Sequence, residues 1–333
     1  MITLISVPGT GGAQIFESQP EAALTDPMLV ARGQCWGKPL GLNWSWFFVT
    51  YPAQVFPMGP SWQQGINDTV GAIQNFVQGN FVLDGYSQGA IVTSHVWRDE
   101  ILKPQGRLHN RLNDCLGVIE YGPPCRCPGY AFGNTILCGQ PVPPAVDGVV
   151  TGGIAGPDDL KPEELYFPAG HPLAGQVAVY QHCAVGDLYG DCPTGENPWA
   201  TALTWKTEAP AGYDENLIYE LVQTFDGQNV AALLTQALSL LGITITDATT
   251  LPGLILLLTA VIQGATGGSS ISIPATGVAT PQQVVGLIEA IINGGMFLAQ
   301  GTGPHSAYDS GPAAAWLTQL GMAHASTTID HLM

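Results

Sequence analysis

Between Phe81 and Val92 the chain reads FVLDGYSQGAIV, and few stretches of that length restrict a fold so tightly. Phe81, Val82 and Leu83 form a short apolar run of the kind that fills a buried strand. Gly85-Tyr86-Ser87-Gln88-Gly89 follows, and from Gln88 to about Leu102 the composition suits a helix. Strand, sharp turn and helix, in that order, is the setting a G-x-S-x-G sequence needs if its serine is to stand above the end of a sheet. Glycines on both sides keep Cβ atoms out of a strand and a helix that approach closely, while the serine occupies a strained turn. Ser87 is therefore a candidate nucleophile, and the backbone N–H of Gln88 a candidate donor to an oxyanion. In a chain of 42 glycines the five-residue pattern can also arise by chance. The strand before it and the helix after it separate the two cases.

The flanking sequence supplies a sheet around that turn. Residues 2–7 are apolar and strand-like, ending in Pro8-Gly9-Thr10-Gly11-Gly12. This loop has neither G-x-G-x-x-G nor G-x-x-x-x-G-K-[ST], so it does not read as a phosphate cradle. In a sheet with a serine elbow the same position places a second oxyanion donor, for which Thr10 is the candidate; the alternative is a plain tight turn. Residues 17–30 have helical composition interrupted by Pro20 and Pro27. Residues 44–51 are dense in β-formers, and 61–77 carry Trp62, Ile66, Val70, Ile73 and Val77 close to a 3.6-residue period. After the elbow, 116–121 and 176–182 read as further strands, separated by a Gly-, Pro- and Cys-rich stretch expected to be a long ordered loop beside the site. Strands alternating with helices predict an α/β fold with a central parallel sheet flanked by helices.

A serine in this position needs an imidazole base and a carboxylate to orient it, in the chain order Ser, Asp or Glu, His. Asp187 follows strand 176–182 in a Gly-containing turn; Asp191 is a rival four residues on, whereas Asp147, Asp158 and Asp159 lack a preceding strand. His95, His109, His171 and His182 precede Asp187, and His324 and His331 lie near the C-terminus, where fraying is expected. His305, in a Gly/Pro-rich loop before a last helix of about 310–323, is the candidate base.

Composition narrows what such a chain can serve. Lys and Arg total 9 against 26 Asp and Glu, a net charge of −17, with 11% of residues charged. Lacking a basic footprint, it is a poor partner for nucleic acid or for anionic membrane surfaces. The longest apolar runs, 230–241 and 251–262, fall short of the ~20 residues a membrane span needs, so no stable membrane insertion is expected. Met1 to Val7 lacks a basic n-region, so no signal segment is expected either. Residues 193–300 are rich in Ala, Leu and Ile, with apolar helical runs at 216–242, 252–263 and 281–292 and a Gly/Ser-rich break at 264–272. They predict a helical, lid-like insertion within one domain spanning 1–333; the alternative is a partner- or membrane-facing surface. Seven cysteines leave at least one unpaired. Cys125-Arg-Cys127 with Cys138 departs from zinc-ligand spacing, so no metal and no cofactor is expected.

Gly85-Tyr86-Ser87-Gln88-Gly89, Gly9-Thr10-Gly11-Gly12, Gly186-Asp187-Leu188-Tyr189 and Pro304-His305-Ser306-Ala307-Tyr308 together resemble the lysin B proteins of mycobacteriophages, with the serine motif shared by cutinases. The resemblance implies a cutinase-like α/β-hydrolase. It implies a serine esterase that frees mycolic acids from arabinogalactan during phage lysis, with Ser87, His305 and Asp187 as triad and Thr10 and Gln88 as oxyanion donors. The implied partner is a lipid-ester or glycolipid substrate of the mycobacterial cell wall, reached from the host cytoplasm after release. Cys183 and Cys192, bracketing Asp187, look like the cutinase arrangement in which a disulfide pins the acid loop. Two departures stand out: some lysin B proteins carry an N-terminal peptidoglycan-binding segment that is expected to be absent here, and the insertion is long. The alternatives are a cutinase-like lipase or polysaccharide esterase, or a non-catalytic envelope-binding protein on the same scaffold.

Overall fold

A computed structural model of the chain describes residues 2–11, 44–54, 58–143, 150–187, 189–193, 271–273, 277–279, 303–306 and 308–330. The apolar runs read from the sequence become strands because each can be covered on both faces. Strand β1 (Ile2–Val7) lies between β2 (Trp44–Phe48) and β3 (Phe81–Tyr86), followed outward by β4 (Cys115–Tyr121) and β5 (Val179–His182). All pairings are parallel and the order is β2-β1-β3-β4-β5. A parallel sheet with both faces covered and a reversal of strand order at β1/β3 is the doubly wound α/β arrangement, whose sites lie beyond the carboxyl ends of the strands. The α/β-hydrolase expectation is met in this sheet and in the turn that leaves β3.

Alternation along the strands sorts side chains into two cores. Ile5, Val7, Phe81, Leu83, Val118 and Val179 face one side, where helix α1 (Met58–Phe76) packs through Trp62, Val70 and Ile73. Helix α2 (Gln88–His95), continued by a wider π-helical turn over Val96–Leu102, adds Ile91, Val92, Val96, Trp97 and Ile101. Ile2, Leu4, Val82, Ile119 and Tyr121 face the other side, beneath helix α3 (Gly311–Asp330) with its Ala313, Ala314 and Leu317. Each fully buried aliphatic or aromatic side chain contributes about 1.5–3 kcal/mol of transfer free energy, so the two layers hold the strands' carboxyl ends in fixed register.

The described residues between β4 and β5 form only short elements, in line with the loop expected at the sheet end. They are organised by Arg126, a fully buried arginine. Its guanidinium donates to Tyr130 O at 2.6 Å, to Thr151 Oγ1 at 2.7 Å and to Gly190 O. Helix α3 runs to Asp330, beyond the expected end near 323, because nothing between Met322 and Asp330 breaks it. Within the expected insertion the described residues form a short antiparallel pair, Ile271–Ile273 with Gly277–Ala279. The helical runs at 216–242, 252–263 and 281–292 and the short helix at 17–30 lie outside the described residues. Among the described residues no helix is long and apolar enough to cross a membrane.

Candidate active site

Ser87 leaves β3 with φ of 55° and ψ of −119°, a left-handed backbone strained for any residue bearing a Cβ. Its surroundings enforce that geometry. The Ser87 N–H donates to Tyr121 O at the end of β4, 2.9 Å away. A Cβ at Gly89 would stand 2.1 Å from Val7 O, and one at Gly85 would stand 2.6 Å from Thr93 Oγ1. The elbow therefore needs glycine at both places because strand and helix approach within contact distance.

Three side chains far apart in sequence meet above this elbow. Ser87 Oγ is 2.8 Å from His305 Nε2, and His305 Nδ1 is 2.9 and 3.0 Å from the two Asp187 oxygens. Ser87 is 4%, His305 6% and Asp187 0% exposed, so the row is screened from bulk water. A carboxylate on Nδ1 leaves the proton there and presents Nε2 to the hydroxyl as acceptor. The rival Asp191 does not face the imidazole: its Oδ2 accepts the Gly186 N–H at 2.9 Å and closes the turn that carries Asp187.

The four histidines that precede Asp187 are engaged elsewhere. His171 contacts Cys115 O and receives the Leu173 N–H, and His109 contacts Ile101 O. His182 is buried at the end of β5 beneath the Tyr121 ring, and burial lowers its imidazole pKa to about 4. His95 stacks on Trp62 and places its two ring nitrogens 2.8 Å from Asp99 and 2.8 Å from Asp158. Burial alone would lower its pKa, but these carboxylates raise it to about 9.

Thr10 and Gln88 are brought to the same end of the sheet. Gln88 is fully buried. Its side-chain amide donates to Gln54 O at 2.9 Å and to Thr10 Oγ1 at 3.3 Å, and accepts from Ser61 Oγ at 2.9 Å. The Gln88 side chain thus ties the loop after β1, the loop after β2 and the start of α1 to the elbow. Its backbone N–H opens α2, where the first N–H groups have no intrahelical acceptor. Such a group suits a developing oxyanion.

Several residues around the row were not singled out from sequence. Tyr86, the first of the two variable residues in the serine motif, donates its hydroxyl to His305 O at 2.9 Å and stacks on the imidazole with centroids 5.1 Å apart. Tyr189 covers the other side at 4.3 Å. Gly122, at φ 54°, lies so close that a Cβ would stand 2.7 Å from His305 Nδ1 and 2.9 Å from Asp187 Oδ2. Tyr308 donates to Asp187 Oδ2. A Gly directly after a strand, and a Tyr three residues past the histidine, were signals available in the sequence; Arg126 had none.

The disulfide implied around Asp187 is not formed. Cys183 and Cys192 are both buried and are not bonded to each other, and burial pushes the pKa of both thiols well up. The acid loop is held instead by Asp191 on Gly186 N, by the Tyr189 N–H donating to Asp187 Oδ1 at 3.0 Å, and by Arg126 on Gly190 O. As for metal ligands, His95, Cys125 and Asp158 bring one ligand atom each within 4.8 Å of one another. Arg98 pairs with Asp158 at 2.8 Å and with Asp99 at 2.9 Å, and burial holds the Cys125 thiol protonated. These residues read as an ion-pair cluster.

No protein-family model matches the chain. Over 85 residues it is 41% identical to endolysin B of Mycobacterium phage L5, a segment covering 24% of this chain and 34% of that relative. The match thus spans about a third of the relative's length. Among solved structures, lysin B from mycobacteriophage D29 aligns at 24% identity with a TM-score of 0.45, covering 76% of this chain and 98% of that one. A cutinase-like protein from Cryptococcus sp. aligns at 19% identity with a TM-score of 0.37, covering 57% and 79%.

Proposed function

We propose that the chain is a serine carboxylic-ester hydrolase whose substrate is the ester joining mycolic acids to arabinogalactan in the mycobacterial envelope. The observation that carries the reaction class is the continuous row from Ser87 Oγ through His305 to the Asp187 carboxylate. The segment similar to a mycobacteriophage endolysin B supports the envelope as the place of action.

His305 Nε2 takes the Ser87 proton as Oγ attacks the ester carbonyl, and Asp187 stabilises the imidazolium that forms. The backbone N–H groups of Gln88 and Thr10 receive the oxyanion; each such donor is worth about 10²–10³ in kcat. His305 then gives its proton to the departing sugar hydroxyl, leaving the acyl group on Ser87. Water, deprotonated by the same imidazole, releases the fatty acid and restores the serine. Burial of the row strengthens each of these interactions by excluding water.

Ser87→Ala should abolish hydrolysis of a short p-nitrophenyl ester with the fold intact; retained turnover would remove Ser87 from its role. The substrate is read separately, by mass spectrometry of lipid released from purified mycobacterial walls. Free mycolic acid is the expected product, and acetate or cutin monomers from alternative substrates, with no mycolic acid, would overturn it. A fluorophosphonate probe that fails to label Ser87 would point to an envelope-binding protein without catalysis.

A further inference from the structure

The row does not stop at Asp187. Its carboxylate receives His305 Nδ1 at both oxygens, the Tyr189 N–H at Oδ1 and the Tyr308 hydroxyl at Oδ2. The Tyr308 oxygen in turn accepts the Ala184 N–H at 3.1 Å, so this hydroxyl is engaged as donor and acceptor at once and cannot rotate away. Its ring packs edge-on against Tyr121, with centroids 5.9 Å apart. One phenol therefore links the segment that carries the base to the loop that carries the acid.

We propose that Tyr308 is a positioning residue that fixes the Asp187 carboxylate and moderates how strongly it stabilises the His305 imidazolium; the inference rests on the esterase reading above. A hydrogen bond donated to a carboxylate draws off part of its negative charge. With Tyr308 in place, Asp187 shares its charge between a phenol and an imidazole. Without it, the charge falls more fully on His305, the imidazolium becomes more stable, and the base becomes harder to deprotonate. The phenol keeps its proton throughout, since burial and the Asp187 charge push its pKa well above the usual tyrosine range. Other groups near the pair are Asp191, held on Gly186 N, the buried Cys183 thiol beneath the loop, and the exposed Asp309 next to Tyr308. Tyr86 and Tyr189 face the imidazole itself.

The test follows kcat and KM for a short p-nitrophenyl ester from pH 5 to 9, whose acid limb in kcat/KM reports the base of the free enzyme. Tyr308→Phe should move that limb upward by about half a unit to one unit, consistent with losing one hydrogen bond to a charged group. It should lower kcat about tenfold near neutrality and leave KM unchanged. Tyr308→3-fluorotyrosine, introduced at that site alone, keeps the ring and strengthens the donor, so its limb should move downward. A limb unmoved in both variants, whatever happens to kcat, overturns the proposal. If Tyr308→Phe does not fold, the fluorinated variant decides alone. The parent reading is checked in parallel: a wild-type chain that hydrolyses the ester and takes a fluorophosphonate label at Ser87 keeps it, even where the limb stays fixed. A wild-type chain that does neither removes both.

Discussion

Glu120 lies on β4 one residue before Tyr121, whose carbonyl anchors the Ser87 N–H, and it is fully buried. Thr93 and Ser94 of α2 donate to its Oε1 at 3.0 and 2.7 Å, and Gln181 Nε2 of β5 donates to Oε2 at 2.9 Å. Burial raises its pKa from 4.5 to about 7 despite those three donors. The folded state thus holds this proton more tightly than the unfolded chain does. Its contribution is present in full below pH 4.5 and is lost as pH rises through 7. At about 1.4 kcal/mol for each pH unit, the loss between pH 4.5 and 8 amounts to about 3 kcal/mol, a large share of a typical domain's stability.

Glu120→Gln mimics the protonated acid. Its amide nitrogen can donate toward the Thr93 and Ser94 oxygens, whose hydroxyls turn to helix carbonyls, while its carbonyl still accepts from Gln181. Urea unfolding at pH 5, 6, 7 and 8 should show the wild type falling relative to the variant by about 2.5 kcal/mol across the series. The two should be nearly equal at pH 5, with the variant the more stable at pH 8. Titration elsewhere in the chain is common to both proteins and cancels in the difference. A wild-type-minus-variant curve that is flat with pH would refute the reasoning, because it would mean that Glu120 titrates alike in both states.

Three other perturbations probe neighbouring parts of the site. Gly122→Ala places a methyl group against His305 and Asp187 at a positive φ; ester hydrolysis should drop about 100-fold with the unfolding midpoint shifted only modestly, as steady-state kinetics and thermal melts will show. Tyr86→Phe removes the hydroxyl from His305 O and should lower kcat about tenfold at unchanged KM, measured on the same ester. His95 is raised to about 9 by its carboxylates, so stability present below pH 6.5 should be lost as pH rises through 9. Asp158→Asn should shrink that loss, read by urea unfolding at pH 6.5 and 9.5.

The sequence was most legible where one local rule acts alone. The strand–turn–helix around Ser87 is encoded within a dozen residues, by an apolar run, two glycines and a helix-forming segment, and no distant partner is needed to recognise it. The parallel sheet followed from strands alternating with helical periods, Asp187 from a Gly-containing turn after a strand, and His305 from chain order and a Gly/Pro-rich stretch, expected as a loop, that the structure winds into the short helix Gly303–Ser306. What stayed hidden depends on contacts between distant segments. Arg126 is a charged residue in a Pro/Cys-rich stretch, and its burial makes sense only once Tyr130, Thr151 and Gly190 present oxygens to it. Glu120 stands in an apolar strand, where nothing local says that α2 and β5 will satisfy it.

That division bears on how the site is held. Ser87 and His305 are 218 positions apart, and His305 and Asp187 are 118 apart, so no local propensity can bring them within 3 Å. Among the described residues this entropic cost is met with bonds from residues adjacent to each member. Tyr86 holds the backbone of His305, Tyr308 and Tyr189 hold Asp187, and Tyr121 O holds Ser87. Each is a neutral hydrogen-bonding group, in keeping with a chain whose residues are only 11% charged. Neutral donors fix positions without adding a full charge to the row, so the only formal charges within it are the Asp187 carboxylate and, when it forms, the imidazolium. A cationic residue in place of Tyr308 would compete with His305 for that carboxylate. Geometry here is therefore set by polar contacts of modest strength, each costing little when lost from the fold and more when lost from the alignment of Ser87, His305 and Asp187.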